Sequence, residues 1–310
     1  MISGGTGLVG KELTALLLEM GYQVVILTRK KDMKSSNPKI RYAHWDIEKN
    51  KMDDDAMFDI DAVIHLAGAG VVEKRWSEKY KKEIADSRTK SSSILMDALS
   101  KGNHRVKTFI STSAIGWYGP DKPNIVPFLE EAPSNDDFLG TTCKAWEESV
   151  KPCLNMGIRL CIVRTGIVLS NKGGALKEFI KPIKMGMAAI LGNGEQMISW
   201  IHIKDLCRLY VHLVEKENLS GVYNGVAPSP VSNKTLTISL AKKIRKSFFI
   251  PIHVPSFVLK WVMGESSIEV LKSTTVSSEK IHSTGFQFLF PTITPALNEL
   301  TNRASEKEIG

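Results

Sequence analysis

Apolar residues in this chain follow two patterns, a helical spacing and unbroken runs. Leu13, Leu16, Leu17 and Met20 recur at helical spacing, and Gly21 is placed to stop that helix. Tyr22 to Leu27 is an apolar, β-branched run of the kind that forms a parallel strand buried on both faces. Ile40 to Trp45 alternates as a third strand and Ala62 to Gly68 reads as a fourth. Val106 to Ser111 reads as a fifth, and Arg159 to Arg164 as a sixth that continues through Leu169. Helices are predicted between and after them. One carries Trp76 to Arg88, one runs from about Leu139 to Leu154, one ends near Glu215, and one covers Lys234 to Lys246. Val222 to Gly225 reads as a short strand, whereas Gly173 to Gly194 is glycine-rich and apolar without clear periodicity. Strands alternating with helices predict an α/β fold built on a doubly wound parallel sheet.

The first strand leads into Ser3-Gly4-Gly5-Thr6-Gly7-Leu8-Val9-Gly10. Glycines at 4, 7 and 10 let the backbone turn sharply and approach a pyrophosphate, whose charge sits on the N–H groups at the helix start. Strand, turn, helix and second strand in this order make Gly4, Thr6, Gly7, Leu8, Val9 and Gly10 the dinucleotide-binding candidates. Only three residues precede the turn, where a buried strand has about five or six, so a shortened first strand is expected. The second strand ends Leu27-Thr28-Arg29-Lys30-Lys31 with no acidic residue to take a ribose 2′-hydroxyl. A basic group there suits the 2′-phosphate of NADP, and the competing reading is an exposed Arg-Lys loop. Asp46 falls where the adenine would lie. Leu66, Ala67 and Gly68 end the fourth strand in small residues on which a cofactor can rest, and His65 reads as a core histidine.

Hydroxyls at the carboxyl end of a parallel strand face the crevice where such sheets bind ligands. Ser113 and Tyr118, just beyond the fifth strand, are therefore candidates for acid/base chemistry or substrate orientation, against a structural serine and a packed tyrosine. Trp76, Trp117, Gln196, Trp200 and His202 suit the substrate side and equally suit packing. On periodicity alone Glu83 and Arg88 are surface charges. The polar loop Asp121 to Asp137 suits a rim or lid, and Arg303 to Gly310 reads as frayed.

Composition narrows the class. An apolar fraction of 43% is ordinary for a globular core. No apolar run reaches the ~18 residues of a membrane helix, and no signal peptide is evident, so a cytoplasmic protein without a membrane partner is expected. Cys143, Cys153, Cys161 and Cys207 show neither a C-x-x-C pair nor metal spacing, so no disulfide and no metal are assigned. The net charge of +8 comes from scattered lysines without an aromatic platform, which favours a solvated surface over a nucleic-acid face.

These residues resemble the short-chain dehydrogenase/reductase superfamily, and within it the atypical epimerase-family proteins related to sugar-nucleotide epimerases. The likeness rests on Gly-Gly-Thr-Gly-Leu-Val-Gly at 4–10, Leu-Thr-Arg at 27–29, Leu-Ala-Gly at 66–68, Arg-Trp at 75–76 and Ser-Arg at 87–88. It continues through Trp-Glu at 146–147, Arg-Thr-Gly-Ile-Val-Leu at 164–169, Ser-Trp-Ile-His-Ile at 199–203, Asn-Gly-Val-Ala-Pro at 224–228 and Gly-Phe-Gln-Phe at 285–288. The resemblance implies an NADP-binding Rossmann domain of the extended type over 1–235, with 170–200 contributing to the substrate side. A small C-terminal α/β domain over 236–310 would close on the substrate. It also implies cofactor contacts at Thr28, Arg29, Leu66, Ala67, Glu83, Arg88 and Glu147, which raises Glu83 and Arg88 above a surface role.

The superfamily's catalytic Tyr-x-x-x-Lys pair is incomplete. Lys144 is present, but Gly140 stands four residues before it. Tyr118 supplies the phenol from the neighbouring loop, or another residue acts, or there is little chemistry. Two functions follow: an NADP(H)-dependent oxidoreductase or epimerase-like enzyme acting on a small carbonyl compound or nucleotide sugar, or a non-catalytic NADP(H)-binding sensor.

Overall fold

The computed structural model describes residues 1–102, 104–123 and 127–305. The first half runs β1 (Ile2–Ser3), α1 (Leu8–Glu19), β2 (Val24–Thr28), β3 (Ile40–Asp46), β4 (Lys51–Met52), β5 (Ala62–His65), α2 (Glu78–Ser100), β6 (Thr108–Ala114) and α3 (Phe138–Val150). It continues with β7 (Arg159–Thr165), β8 (Ile167–Ser170), β9 (Gly173–Gly174), α4 (Ala175–Lys184), β10 (Met187–Leu191), β11 (Met197–Ile198), β12 (Trp200–His202), α5 (Ile203–Glu215) and β13 (Gly221–Gly225). Last come β14 (Val231–Ser232), α6 (Asn233–Arg245), β15 (Ile250–Val254), α7 (Ser256–Met263), α8 (Ser267–Leu271), α9 (Glu279–Ser283) and α10 (Ile293–Ser305). Among the described residues no helix is long and apolar enough to cross a membrane. The tail expected to fray is helical through Ser305, and 306–310 lie outside the described residues.

The main sheet has the order β13-β7-β6-β5-β1-β2-β3-β4, parallel throughout except for the β3–β4 hairpin. Strand order reverses between β1 and β5, so the carboxyl ends open into a crevice there. Helices α2 and α3 cover one face, where Leu95, Leu99, Phe109, Val150 and Leu160 are packed; α1 and α5 cover the other through Leu13, Ile26, Ile110, Val163 and Leu209. A sheet buried on both faces has no polar side to show, which is why β2 reads as an unbroken apolar run. A third cluster joins Leu176, Trp200, Leu236, Leu240 and Leu297 in a smaller lobe built from β8, α4, β10 to β12, α6 and the C-terminal elements β15 to α10.

Several boundaries differ from expectation, each for a local reason. Gly21 takes φ +90° and Tyr22 stays in the turn, so β2 begins at Val24. Trp76 precedes its helix, because the Ser77 side chain accepts from Tyr80 N and caps α2 one residue later. The helix expected to reach Leu154 ends at Val150 and tightens into a 3-10 turn over Lys151–Met156, where Pro152 enters. Gly173–Gly194 holds a helix, α4, as well as β10.

Residues 273–277 tie the smaller lobe to the sheet. Thr274 Oγ1 donates to Gly119 O at 2.9 Å, and Thr275 meets both oxygens of Asp121 at 2.6 and 2.7 Å. Val276 N donates to Ser199 Oγ at 2.9 Å, and Phe128 N to Thr275 O at 2.8 Å.

His65 is the core histidine expected, fully buried at the end of β5. Ser3 Oγ accepts from Leu66 N (3.1 Å) and Ala67 N (3.3 Å), so its own proton goes to His65 Nδ1 at 2.6 Å. Nε2 therefore carries the ring proton and faces Ser92 Oγ at 3.2 Å. Burial pushes this imidazole down to about 3, because a charged ring there has no water. Its neutral form stabilises the fold fully above about pH 6.5, and that contribution is lost as pH falls toward 3. Urea unfolding is expected to lose about 1.4 kcal/mol per pH unit below about 6, with the slope shallower in His65→Gln.

Candidate functional site

The crevice begins at the glycine turn. Gly4 has φ +71°, and a Cβ there would stand 2.9 Å from the Leu66 carbonyl carbon. A Cβ on Gly10 would lie 2.4 Å from Gly4 O, so backbone crosses backbone where side chains cannot fit. Gly7 precedes α1 and no side chain caps it, which leaves the first N–H groups of the helix to a ligand. Thr6 is exposed, and Leu8 and Val9 are half-buried beside the turn.

Arg29 follows β2, exposed, and forms no ion pair among the described residues. Thr28 Oγ1 accepts from Lys30 N at 3.1 Å and shapes the turn. A cavity of about 920 Å³ opens alongside, lined by Thr28, Lys30, Lys31, His44, Asp46 and Lys49 among others. Asp46 ends β3 and accepts from Lys49 N at 3.1 Å, which holds its carboxyl below the usual range. Leu66, Ala67 and Gly68 follow β5 against the turn.

Arg88 is not a surface charge. Its guanidinium lies 3.2 Å from where a Gly68 Cβ would stand, over the Trp146 ring at 4.9 Å. Its one hydrogen bond among the described residues goes from Nη1 to Ile84 O at 2.8 Å, and burial lowers its pKa. A half-dry guanidinium with free donors beside a bare backbone suits an anionic or carbonyl group of a ligand. Glu83 points outward and stands 3.9 Å from Lys74, as its periodicity suggests.

Beyond the crevice floor lies a buried polar network. Ser113 Oγ donates to Glu147 Oε1 at 2.7 Å. Arg164 grips the same carboxylate twice, Nε to Oε1 at 2.8 Å and Nη2 to Oε2 at 3.0 Å. Arg164 Nη1 reaches Tyr118 Oη at 3.0 Å and Glu130 O at 2.9 Å. Tyr118 donates to Asn224 Oδ1 at 2.6 Å, and Asn224 N donates to Glu130 Oε1 at 2.9 Å. Burial works to lower the Arg164 pKa, but the Glu147 hydrogen bonds and charge outweigh it and raise it. Burial pushes the Tyr118 phenol up to about 12.

The network revises the expected acid. Tyr118 is 1% exposed, stacked on Phe128 at 5.1 Å, with its hydroxyl turned into the network instead of the crevice. Lys144 lies on the exposed face of α3, and the neighbouring residue Cys143 faces inward with Leu139 and Glu147. Burial pushes the Cys143 thiol up to about 11. Glu147, expected among the cofactor contacts, has both oxygens held by Arg164.

The remaining substrate-side candidates have protein partners. Trp117 lies face-on to the Arg164 guanidinium at 3.7 Å, and Trp76 Nε1 donates to Val71 O at 2.7 Å at the crevice rim. Gln196 Nε2 donates to Leu191 O and Val270 O, both at 3.1 Å. Trp200 is buried with Nε1 on Ser229 O at 2.9 Å, and His202 bonds Glu299 at 3.0 Å, its pKa lowered by burial. Three residues of the site, Arg164, Asn224 and Glu130, are not among the candidates that the sequence offers. The available signal was an arginine ending the apolar run Leu160 to Val163, since a guanidinium inside a sheet needs a carboxylate.

A parallel sheet reversing beside an uncapped glycine turn defines a dinucleotide-binding protein of the Rossmann class. Residues 1–224 match the model of the NAD dependent epimerase/dehydratase family, and 254–300 match a domain of unknown function, DUF1731. The chain belongs to the NAD-dependent epimerase/dehydratase family, an NAD(P)-binding group of the short-chain dehydrogenase/reductase type. It is 34% identical over 304 residues to epimerase family protein SSP1921 of Staphylococcus saprophyticus, covering 97% of this chain and 99% of that one. It is similar to the structure of human epimerase family protein SDR39U1 (isoform 2) with NADPH: 28% identity, 97% and 98% coverage, TM-score 0.82. A nucleoside-diphosphate sugar epimerase from Corynebacterium glutamicum is 29% identical, with TM-score 0.75 over 99% of this chain and 60% of that one.

Removing one partner of the buried ion pair leaves the other charge dry. Glu147→Gln is expected to cost about 3–5 kcal/mol in urea unfolding. The double variant Glu147→Leu, Arg164→Met should lose less than the two single changes together, as a double-mutant cycle will read.

Proposed function

We propose that the crevice binds NADP(H) in the cytoplasm and that the protein is an NADP(H)-dependent oxidoreductase or epimerase-like enzyme acting on a small carbonyl compound or nucleotide sugar. The observation that carries the cofactor choice is the end of β2, where Arg29 is exposed without an ion pair among the described residues and Lys30 and Lys31 line the cavity ahead of its first carboxylate, Asp32. The human relative solved with NADPH supports the same choice, and the Corynebacterium relative supports a nucleotide-sugar substrate.

The residues present fit the cofactor. The Gly4–Gly10 turn and the start of α1 would hold its pyrophosphate, Thr28 and Arg29 the 2′-phosphate, and Asp46 would flank the adenine. Leu66, Ala67 and Gly68 would carry its middle, and Arg88 an anionic or carbonyl group. When bound, NADPH supplies a hydride. Ser113, 2% exposed, gives its only proton to Glu147, so it acts on the crevice by positioning that carboxylate beneath the end of β6. Lys144 and Tyr118 have no part in this reading.

A second reading, a non-catalytic NADP(H)-binding sensor, is favoured by one observation. The tyrosine is held inside the network and the lysine faces outward, so neither is presented as an acid to the crevice.

Calorimetry with Arg29→Ala is expected to weaken NADPH binding about 10- to 100-fold, the effect of one charge-assisted contact, and to leave NADH nearly unchanged. Equal loss for both cofactors would sink the assignment. NADPH consumption against carbonyl compounds and nucleotide sugars should fall in Ser113→Ala and persist in Tyr118→Phe. Tight binding with no turnover on any of them selects the sensor.

A further inference from the structure

The smaller lobe carries an apolar face that the chain covers only in part. In the parallel pair β10–β15, Met187 lies opposite Ile250, Ala189 opposite Ile252 and Leu191 opposite Val254, which places all six on one face of the ribbon. The other face carries Ala188 and Ile190 of β10, both buried and packed toward α4 and α6, and Pro251 and His253 of β15, both exposed. A two-stranded ribbon with one face on a core ordinarily shows polar residues on the other. Here the outer face is apolar at every position, and Ile250 is 67% exposed.

Its surroundings extend the pattern. Phe248 (79% exposed) and Met185 (69%) stand where Ile250 N bonds Gly186 O, and α7 adds exposed Phe257, Trp261 and Val262. Arg245 belongs to the same corner, with Nε 3.4 Å from Phe248 O and Nη2 3.7 Å from the Cβ position of Gly186.

Along the stretch that supplies α6, β15 and α7, charge is of one sign. From Asn218 to Gly264 the chain contains no Asp or Glu, while Lys234, Lys242, Lys243, Arg245, Lys246 and Lys260 fall within it. Six of the chain's net eight positive charges therefore arise here. All six side chains are exposed, and none forms an ion pair among the described residues. An exposed apolar patch of this extent marks an interaction surface.

Two features select its occupant. Ile250 N and Val254 O bond toward β10, so Pro251 sits on the open edge of β15 without an N–H to donate. That blunts extension of the ribbon by a strand of another copy. A second copy would also set six unpaired cations against six. Anionic headgroups beneath aliphatic and aromatic side chains match both the charge and the apolar face. We propose that the β10–β15 face, with Phe248, α7 and its surrounding lysines, docks on an anionic lipid bilayer surface. This is surface attachment and needs no spanning helix. It revises the reading of the lysines as merely solvated, and it does not rest on the cofactor assignment.

The test is sedimentation of the full chain with vesicles of 30% phosphatidylglycerol in phosphatidylcholine, and with phosphatidylcholine alone, at low and high salt. Partition is expected to be at least tenfold stronger on the anionic vesicles and to fall with salt. Phe248→Ser with Ile250→Thr, and separately Lys242→Glu with Lys243→Glu, should each lower it about tenfold while the thermal midpoint holds. No preference for anionic vesicles overturns the proposal. So does an equal loss from Lys101→Glu with Lys107→Glu, which would mean unspecific charge, or binding indifferent to the Phe248/Ile250 change. A concentration-dependent dimer in sedimentation velocity, dissolved by the Phe248/Ile250 change, overturns it in favour of a second copy.

Discussion

The pairing of Arg164 with Glu147 is the constraint on which the site depends. Neither charge has water to fall back on, so each is stable only while the other holds it. The pair fixes β7 against α3, and through Ser113, Tyr118 and Asn224 it fixes β6, the turn after it and β13. The same carboxylate that neutralises the guanidinium also takes the serine's proton.

Most of the sheet is legible in the chain because a parallel sheet covered on both faces leaves unbroken apolar runs. The glycine turn is legible for a different reason: at Gly4 and Gly10 backbone lies where a Cβ would stand, and only one residue type survives there. His65 is legible because an imidazole inside an apolar strand has few other fates. Arg88 is not, since one turn of a helix looks solvent-facing until the strand it packs beside is known.

The failures share a cause in geometry that short-range patterns do not carry. One residue of helical phase is a rotation of about 100°, enough to put Lys144 outside and Cys143 inside. Tyr118 follows a 3-10 turn over Ile115–Trp117 and meets Phe128 and Asn224, which are neighbours only after folding. Helix α4 does carry an apolar set at Leu176, Phe179, Ile180 and Ile183, but Pro182 in its last turn reads as a breaker.

The stitching of residues 273–277 bears on how the molecule works in time. Swinging the smaller lobe away from the sheet would sever the Asp121–Thr275 and Gly119–Thr274 contacts together. The seam between this segment and the turn after β6 is thus held by several bonds that can only break as a set.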